Sequence, residues 1–166
     1  MTGLWIALGI VGTLIAFLVV MGRRFTKQLA RGARMWESVA TELGLSFQPI
    51  SGKPGRIRGD LDGFRIEVDT AYHTSGLPTK QRAQSYTRIR VFHRAALDAA
   101  ECELALEQAA PEIGEASGDA YAVRVEPDCV MWLRRRMVFE RPLLLDAIRS
   151  TLAVARAIDA RRERRS

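Results

Sequence analysis

Three patterns of apolar and polar residues follow one another along the chain: an unbroken apolar run, a stretch of helical period, and a longer region of alternation. Residues 4–21 read LWIALGIVGTLIAFLVVM, eighteen positions without a charge and with Thr13 as the single hydroxyl. As a helix this run spans about 27 Å at 1.5 Å per residue, close to the hydrocarbon core of a bilayer. A helix lying on a soluble core needs a polar face, and this run has none. The pattern predicts a retained transmembrane anchor over residues 1–22. A cleaved signal peptide would need a base before the run and a small-x-small site after it. Met1-Thr2-Gly3 precede the run, and Gly22-Arg23-Arg24 follow it.

Beyond the run, Phe25, Leu29, Ala33, Trp36, Ala40 and Leu43 recur in steps of three and four. That period predicts an amphipathic juxtamembrane helix over 23–44, with Gly44 as its stop and Gly32 as a cost or a bend at the membrane surface. From Leu45 the period changes to two. Strands are predicted over 45–50, 56–60, 64–72, 83–93, 120–126 and 129–135. Leu61-Asp62-Gly63 reads as one tight hairpin and Pro127-Asp128 as another. In 64–72, Phe64, Ile66 and Val68 alternate with Arg65, Glu67 and Asp69, one buried face and one wet face. Residues 101–108 alternate Cys102, Leu104 and Leu106 with acids, which favours a strand, while the alanines around them also suit a helix. Residues 73–82 and 109–118 read as loops. Pro142 opens a closing helix over 142–160, striped by Leu144, Leu145, Ile148, Leu152, Ala155 and Ile158, and 161–166 form a basic tail.

Short links between strands point to antiparallel pairing. The expected fold is α+β: an N-terminal transmembrane helix, then an antiparallel sheet of about six or seven short strands with two amphipathic helices packed on it. The domain proper runs over 45–160. The chain has 166 residues, 48% hydrophobic and 27% charged, with a net charge of +6. This composition excludes a wholly disordered chain and a disulfide scaffold, and the single long apolar run excludes a polytopic transporter. Two cysteines, Cys102 and Cys129, agree with a reducing compartment and read as buried, inert thiols.

Charge orients the span. Arg23, Arg24, Lys27, Arg31 and Arg34 follow it, and no Lys or Arg precedes it. Basic flanks stay on the cytoplasmic side, which predicts an outward N-terminus and a cytoplasmic body in a bacterial inner membrane. The same five residues are the candidate contacts to anionic lipid headgroups, each contributing about 1 kcal/mol near such a surface. Gly12 and Ala16 form a small-xxx-small pair suited to homo-oligomer contact in the membrane. Residues 98–128 carry nine acids against one base, Arg124, whereas Arg134-Arg135-Arg136 and the tail are basic. Nucleic acid is disfavoured as a partner, because the bases are dispersed over separate elements rather than clustered on one face.

Candidate chemistry is sparse. His73 and His93 fall at opposite ends of the predicted 64–72/83–93 pair and cannot converge on a metal that needs three or four ligands. Asp60 and Asp62 flank Leu61 at the hairpin, with Glu67 and Asp69 further on, and form a conceivable acid–base pair, but turn geometry and a solvated strand face account for them better. Nucleophile elbows, Cys-x-x-Cys pairs and phosphate-binding glycine loops are missing. No catalytic, cofactor or metal residue is therefore assigned. The loop residues His73, Lys80 and Arg82 are the candidate contacts for a protein partner, since loops on a scaffold carry recognition.

Trp36, Ala40, Leu43-Gly44-Leu45, Gly59, Gly63 and Tyr86-Thr87-Arg88 resemble a pattern in uncharacterised bacterial single-pass membrane proteins. Those have a Trp-containing juxtamembrane helix and a small β-rich cytoplasmic body. The resemblance covers roughly residues 30–93 and implies a fold type and no activity. The expected function is a membrane-anchored, non-enzymatic module that binds a protein partner or scaffolds at the membrane. The alternatives are a tethered enzyme using Asp60 and Asp62, and a lipid- or small-ligand-binding domain.

Overall fold

The computed structural model describes residues 2–75, 82–113 and 121–164. Its first element is one continuous helix, α1, Thr2–Glu42. The apolar run continues without interruption into the amphipathic stretch. Gly32 lies within this helix. It is buried, and a Cβ there would overlap the Phe139 ring, so glycine is required for close approach of another segment. Among the described residues no helix is long and apolar enough to cross a membrane.

Six strands follow: β1 Ser46–Gln48, β2 Arg56–Leu61, β3 Phe64–Ser75, β4 Arg82–Phe92, β5 Tyr121–Val125 and β6 Cys129–Arg135. They form one antiparallel sheet in the order β1-β2-β3-β4-β6-β5. The β2–β3 turn is the expected tight hairpin. Leu61 pairs with Phe64, and Asp62 and Gly63 take φ of 54° and 80°, the left-handed pair that Asp-Gly accommodates. The supposed 73–82 loop is shorter than expected. His73, Thr74 and Ser75 continue β3 opposite Gln84, Ala83 and Arg82, because alternation of polar residues does not end a strand whose partner also continues.

Two further helices complete the fold: α2 Ala99–Ile113 and α3 Arg141–Glu163. Helix α2 corrects the strand favoured over 101–108. Asp98 and Glu101 cap it reciprocally: the Asp98 N–H donates to Glu101 Oε2 (3.1 Å) and the Glu101 N–H to Asp98 Oδ1 (2.8 Å). Cys102 is buried and Leu104 is exposed, so the buried face follows the helical period and the alternation was fortuitous. Helix α3 begins at Arg141 and reaches Glu163, which takes part of the supposed tail into the helix.

All three helices lie on one face of the sheet. The C-terminal half of α1 packs over β1 and β2, α3 over β4 and β6, and α2 over β5. The shared core holds Trp36, Val39, Ile57, Ile66, Val68, Ile89, Val91, Val130, Trp132, Leu144 and Ile148. Register explains its shape. Ile57, Val68, Ile89, Trp132 and Val123 stand in one row across the sheet, and Ile66, Val91, Val130 and Val125 in the next. Each fully buried aliphatic side chain contributes about 1.5–3 kcal/mol, so these two rows and the helices above them dominate stability.

The opposite face is ionic. Arg88 makes a bidentate pair with Asp69, at 2.9 and 2.7 Å, and Arg90 contacts Glu67 at 2.6 Å. Arg65 stacks on the Phe92 ring with its guanidinium carbon 3.8 Å from the centroid.

Candidate functional site

The most developed surface feature lies where α1 leaves the body. After β6 the chain turns sharply at Arg136, whose φ of 78° is unusual for a residue with a side chain and costs about 1–2 kcal/mol. Buried Thr87 on β4 stabilises that turn. Its hydroxyl donates to the Arg136 carbonyl (3.1 Å) and accepts from the Val138 N–H (2.8 Å). Backbone bonds add to it: Arg136 N–H to Ser85 O at 2.7 Å and Thr87 N–H to Arg136 O at 3.2 Å. The Trp36 indole N–H donates to the Val138 carbonyl at 3.0 Å, and the Phe139 ring fills the space that Gly32 leaves on α1. The 136–139 segment is thus held from β4 on one side and α1 on the other. Thr87→Val should lower stability by about 1–3 kcal/mol, because the buried Val138 N–H loses its acceptor. Thr87→Ser should retain most of it, and urea unfolding midpoints of the two variants would measure the difference.

This segment walls a groove. One part, of about 420 Å³, is lined by Phe25 and Leu29 of α1, Tyr72 of β3, and Met137 and Phe139. Arg136, Met137 and Phe139 connect it to a second hollow of about 490 Å³ flanked by Arg134, Arg135 and Leu143. Lys53 sits over the Tyr72 ring, its Nζ 4.6 Å from the centroid. One wall of the groove is therefore apolar and the other cationic.

Ion pairing neutralises some of the cations and leaves others, on several elements, without a counter-charge. Arg58, Arg88 and Arg90 on the sheet are paired with carboxylates, as are Arg141, Arg149 and Arg156 on α3. Among the described residues, the side chains of Arg134, Arg135 and Arg136 form no salt bridge, and neither do Arg23, Arg24, Lys27, Arg31 and Arg34. The five residues expected to touch headgroups all lie on α1; Arg23, Arg24, Lys27, Arg31 and Arg34 are on its exposed surface, at the same end of the body as the groove. The other three bases were legible only as a run; their junction with α1 depends on the fold.

The remaining sequence candidates do not converge. His73 and Arg82 lie on β3 and β4, each paired across the hairpin arm, and Lys80 lies outside the described residues. Gly12 and Ala16 lie on the exposed first half of α1, and among the described residues nothing stands within 4 Å of a Cβ placed on Gly12. Asp62 pairs with Arg156, Glu67 with Arg90 and Arg58, and Asp60 is exposed on β2, so these carboxylates are spread over the surface. His93 turns both ring nitrogens to backbone carbonyls, Nδ1 to Ala95 O at 2.6 Å and Nε2 to Glu126 O at 3.2 Å.

Glu126, Asp128 and Cys129 bring three potential ligand atoms within 4.8 Å of one another at the β5–β6 turn. Burial, and then the charges of Glu126 and Asp128, push the Cys129 thiol up to about 12. Among these groups the thiol stays protonated at neutral pH, which makes it a poor nucleophile. Comparison of the chain with known protein families, curated proteins and solved structures finds no match.

Proposed function

We propose that this chain is a single-pass membrane protein whose α+β body is held at the cytoplasmic face of a bacterial inner membrane. There it serves as a non-enzymatic module for a protein partner. The carrying observation is the division of α1. From Leu29 onward it is built into the core, whereas Val11, Leu14, Ile15, Phe17, Leu18, Val19, Val20 and Met21 are all exposed. Eight large apolar side chains around every side of one helix, covered by none of the described residues, need an apolar surrounding. Residues 4–10, LWIALGI, extend the run by sequence to the length of a span. The unpaired bases at the end of the run give the direction, body inside.

The non-enzymatic part of the reading is supported by the carboxylates of the enzyme alternative: Asp62 and Glu67 are held in ion pairs rather than set in a cleft. Partner contact through His73 of β3 and Arg82 of β4, together with Lys80, is part of the same proposal.

Alkaline carbonate extraction of membranes expressing the full chain tests the anchor. The wild type should stay with the pellet. Leu14→Arg/Leu18→Arg places two guanidinium groups mid-span, each costing about 2.5–3.5 kcal/mol on insertion, and should move the protein to the supernatant. A C-terminal alkaline phosphatase fusion should be inactive. Release of the wild type by carbonate would end the anchor reading, and an active fusion would reverse the topology.

A further inference from the structure

We propose that the groove beside α1 binds one anionic phospholipid, its phosphodiester on Arg135 and Arg136 and an acyl chain against Phe25, Leu29, Met137 and Phe139. This rests on the membrane-anchored reading above and goes beyond it, from a general attraction of α1 to a charged surface to a single-lipid site on the body.

Position is the first argument. Phe25 and Leu29 lie three and seven residues past Gly22, where the apolar run ends. With that run in a bilayer, the groove mouth stands at the headgroup layer, within reach of a lipid that keeps its other chain among its neighbours. Chemistry is the second. The groove joins an apolar wall to guanidinium groups, the two surfaces a phospholipid presents together. A soluble anion would leave the apolar wall wet, and a neutral alkyl chain would leave the bases without a counter-charge.

Three consecutive bases without a counter-charge are the third. Among the described residues Arg134, Arg135 and Arg136 form no salt bridge, although Glu140 flanks the same hollow; Arg56, Arg65, Arg94 and Arg124 lack one too, but only here do three such bases follow one another beside a hollow. Finally, Arg136 occupies a left-handed conformation that glycine would adopt without strain, and Thr87 and Ser85 hold it there. A strained residue with a charged side chain at a groove mouth is a feature that binding accounts for and folding alone does not.

Native mass spectrometry of the full chain in detergent, titrated with phosphatidylglycerol or phosphatidylcholine, tests the proposal. One phosphatidylglycerol should bind at least tenfold more tightly than phosphatidylcholine. Arg135→Gln/Arg136→Gly should weaken phosphatidylglycerol about tenfold without lowering the thermal midpoint, because glycine suits the turn. Arg65→Gln, on the opposite sheet face, should leave binding unchanged. Equal affinity for the two lipids, or wild-type affinity in the double variant, would overturn the site. Full displacement by glycerol 3-phosphate would assign the bases to a soluble anion instead, and a lipid-free dimer closing the groove would assign it to a second copy. The binding measurement is independent of carbonate extraction, so a failed groove and a failed anchor give separate signatures.

Discussion

Trp36→Ala is expected to remove about 3–5 kcal/mol of stability, the range for truncating a fully buried aromatic. Trp36 has no exposed surface, and its indole N–H donates to the Val138 carbonyl across 102 positions of sequence. It is also the largest side chain that α1 places in the core; among the described residues Leu29, Val39 and Ala40 are the other buried apolar residues of that helix. A domain of this size holds about 5–15 kcal/mol in total, so the loss is a large share. The effect is local as well. Without the indole, α1 is released from the 136–139 segment and the Phe139 ring loses its seat against Gly32. Trp36→Phe separates the terms: it keeps most of the packing and should cost about 1 kcal/mol beyond its small volume change, for the hydrogen bond alone. Urea denaturation of the detergent-solubilised full chain, followed by far-ultraviolet circular dichroism, reads both. A loss below about 1 kcal/mol for the alanine variant would mean that α1 is not part of the core.

Much of this arrangement is visible in local sequence. The steps from Leu29 through Trp36 to Ala40 mark the buried stripe of α1, and Asp62-Gly63 marks the β2–β3 turn with its conformation. Strict alternation in Phe64–Asp69 assigns each residue to its face. These features depend on neighbours in sequence, and so a linear reading captures them. Helix α2 resembles a strand in sequence because Cys102, Leu104 and Leu106 happen to alternate. Asp98 and Glu101, three apart, carry the helical signal, a reciprocal cap. The groove had no local signature. Its walls come from α1, the β1–β2 loop, β3, β4 and the segment after β6, and only folding brings Arg136 beside Phe25. The Thr87 latch was equally hidden: Tyr86-Thr87-Arg88 stood out as a triplet, but a threonine in a strand looks like any other until its partners are known.

Arg88→Met is expected to cost about 3 kcal/mol at neutral pH, the lower part of the range for breaking a buried ion pair, because the Arg88 side chain is itself 29% exposed. Asp69 is 6% exposed and accepts two bonds from that one guanidinium. Burial pushes the Asp69 carboxyl up, but the hydrogen bond and charge of Arg88, with the charges of Arg90 and Arg56, outweigh it and hold the group below its ordinary value of 3.8. A carboxyl depressed in the folded state contributes stability that is complete above its unfolded value and fades as pH falls through the folded one. Wild-type stability should therefore lose this contribution only below about pH 4. Without Arg88 the burial remains while the largest opposing influence is gone, so Asp69 takes up its proton at higher pH. The penalty should then be greatest at neutral pH and shrink on acidification, as the variant neutralises the buried carboxylate and the wild type loses its pair. Arg88→Met/Asp69→Leu should regain most of the loss at pH 7, since an apolar pair has no buried charge to compensate. Unfolding curves between pH 3 and pH 8 for the three proteins decide the matter. A wild-type-to-variant gap that stayed constant across that range would show that Arg88 acts through packing of its aliphatic stem and not through Asp69.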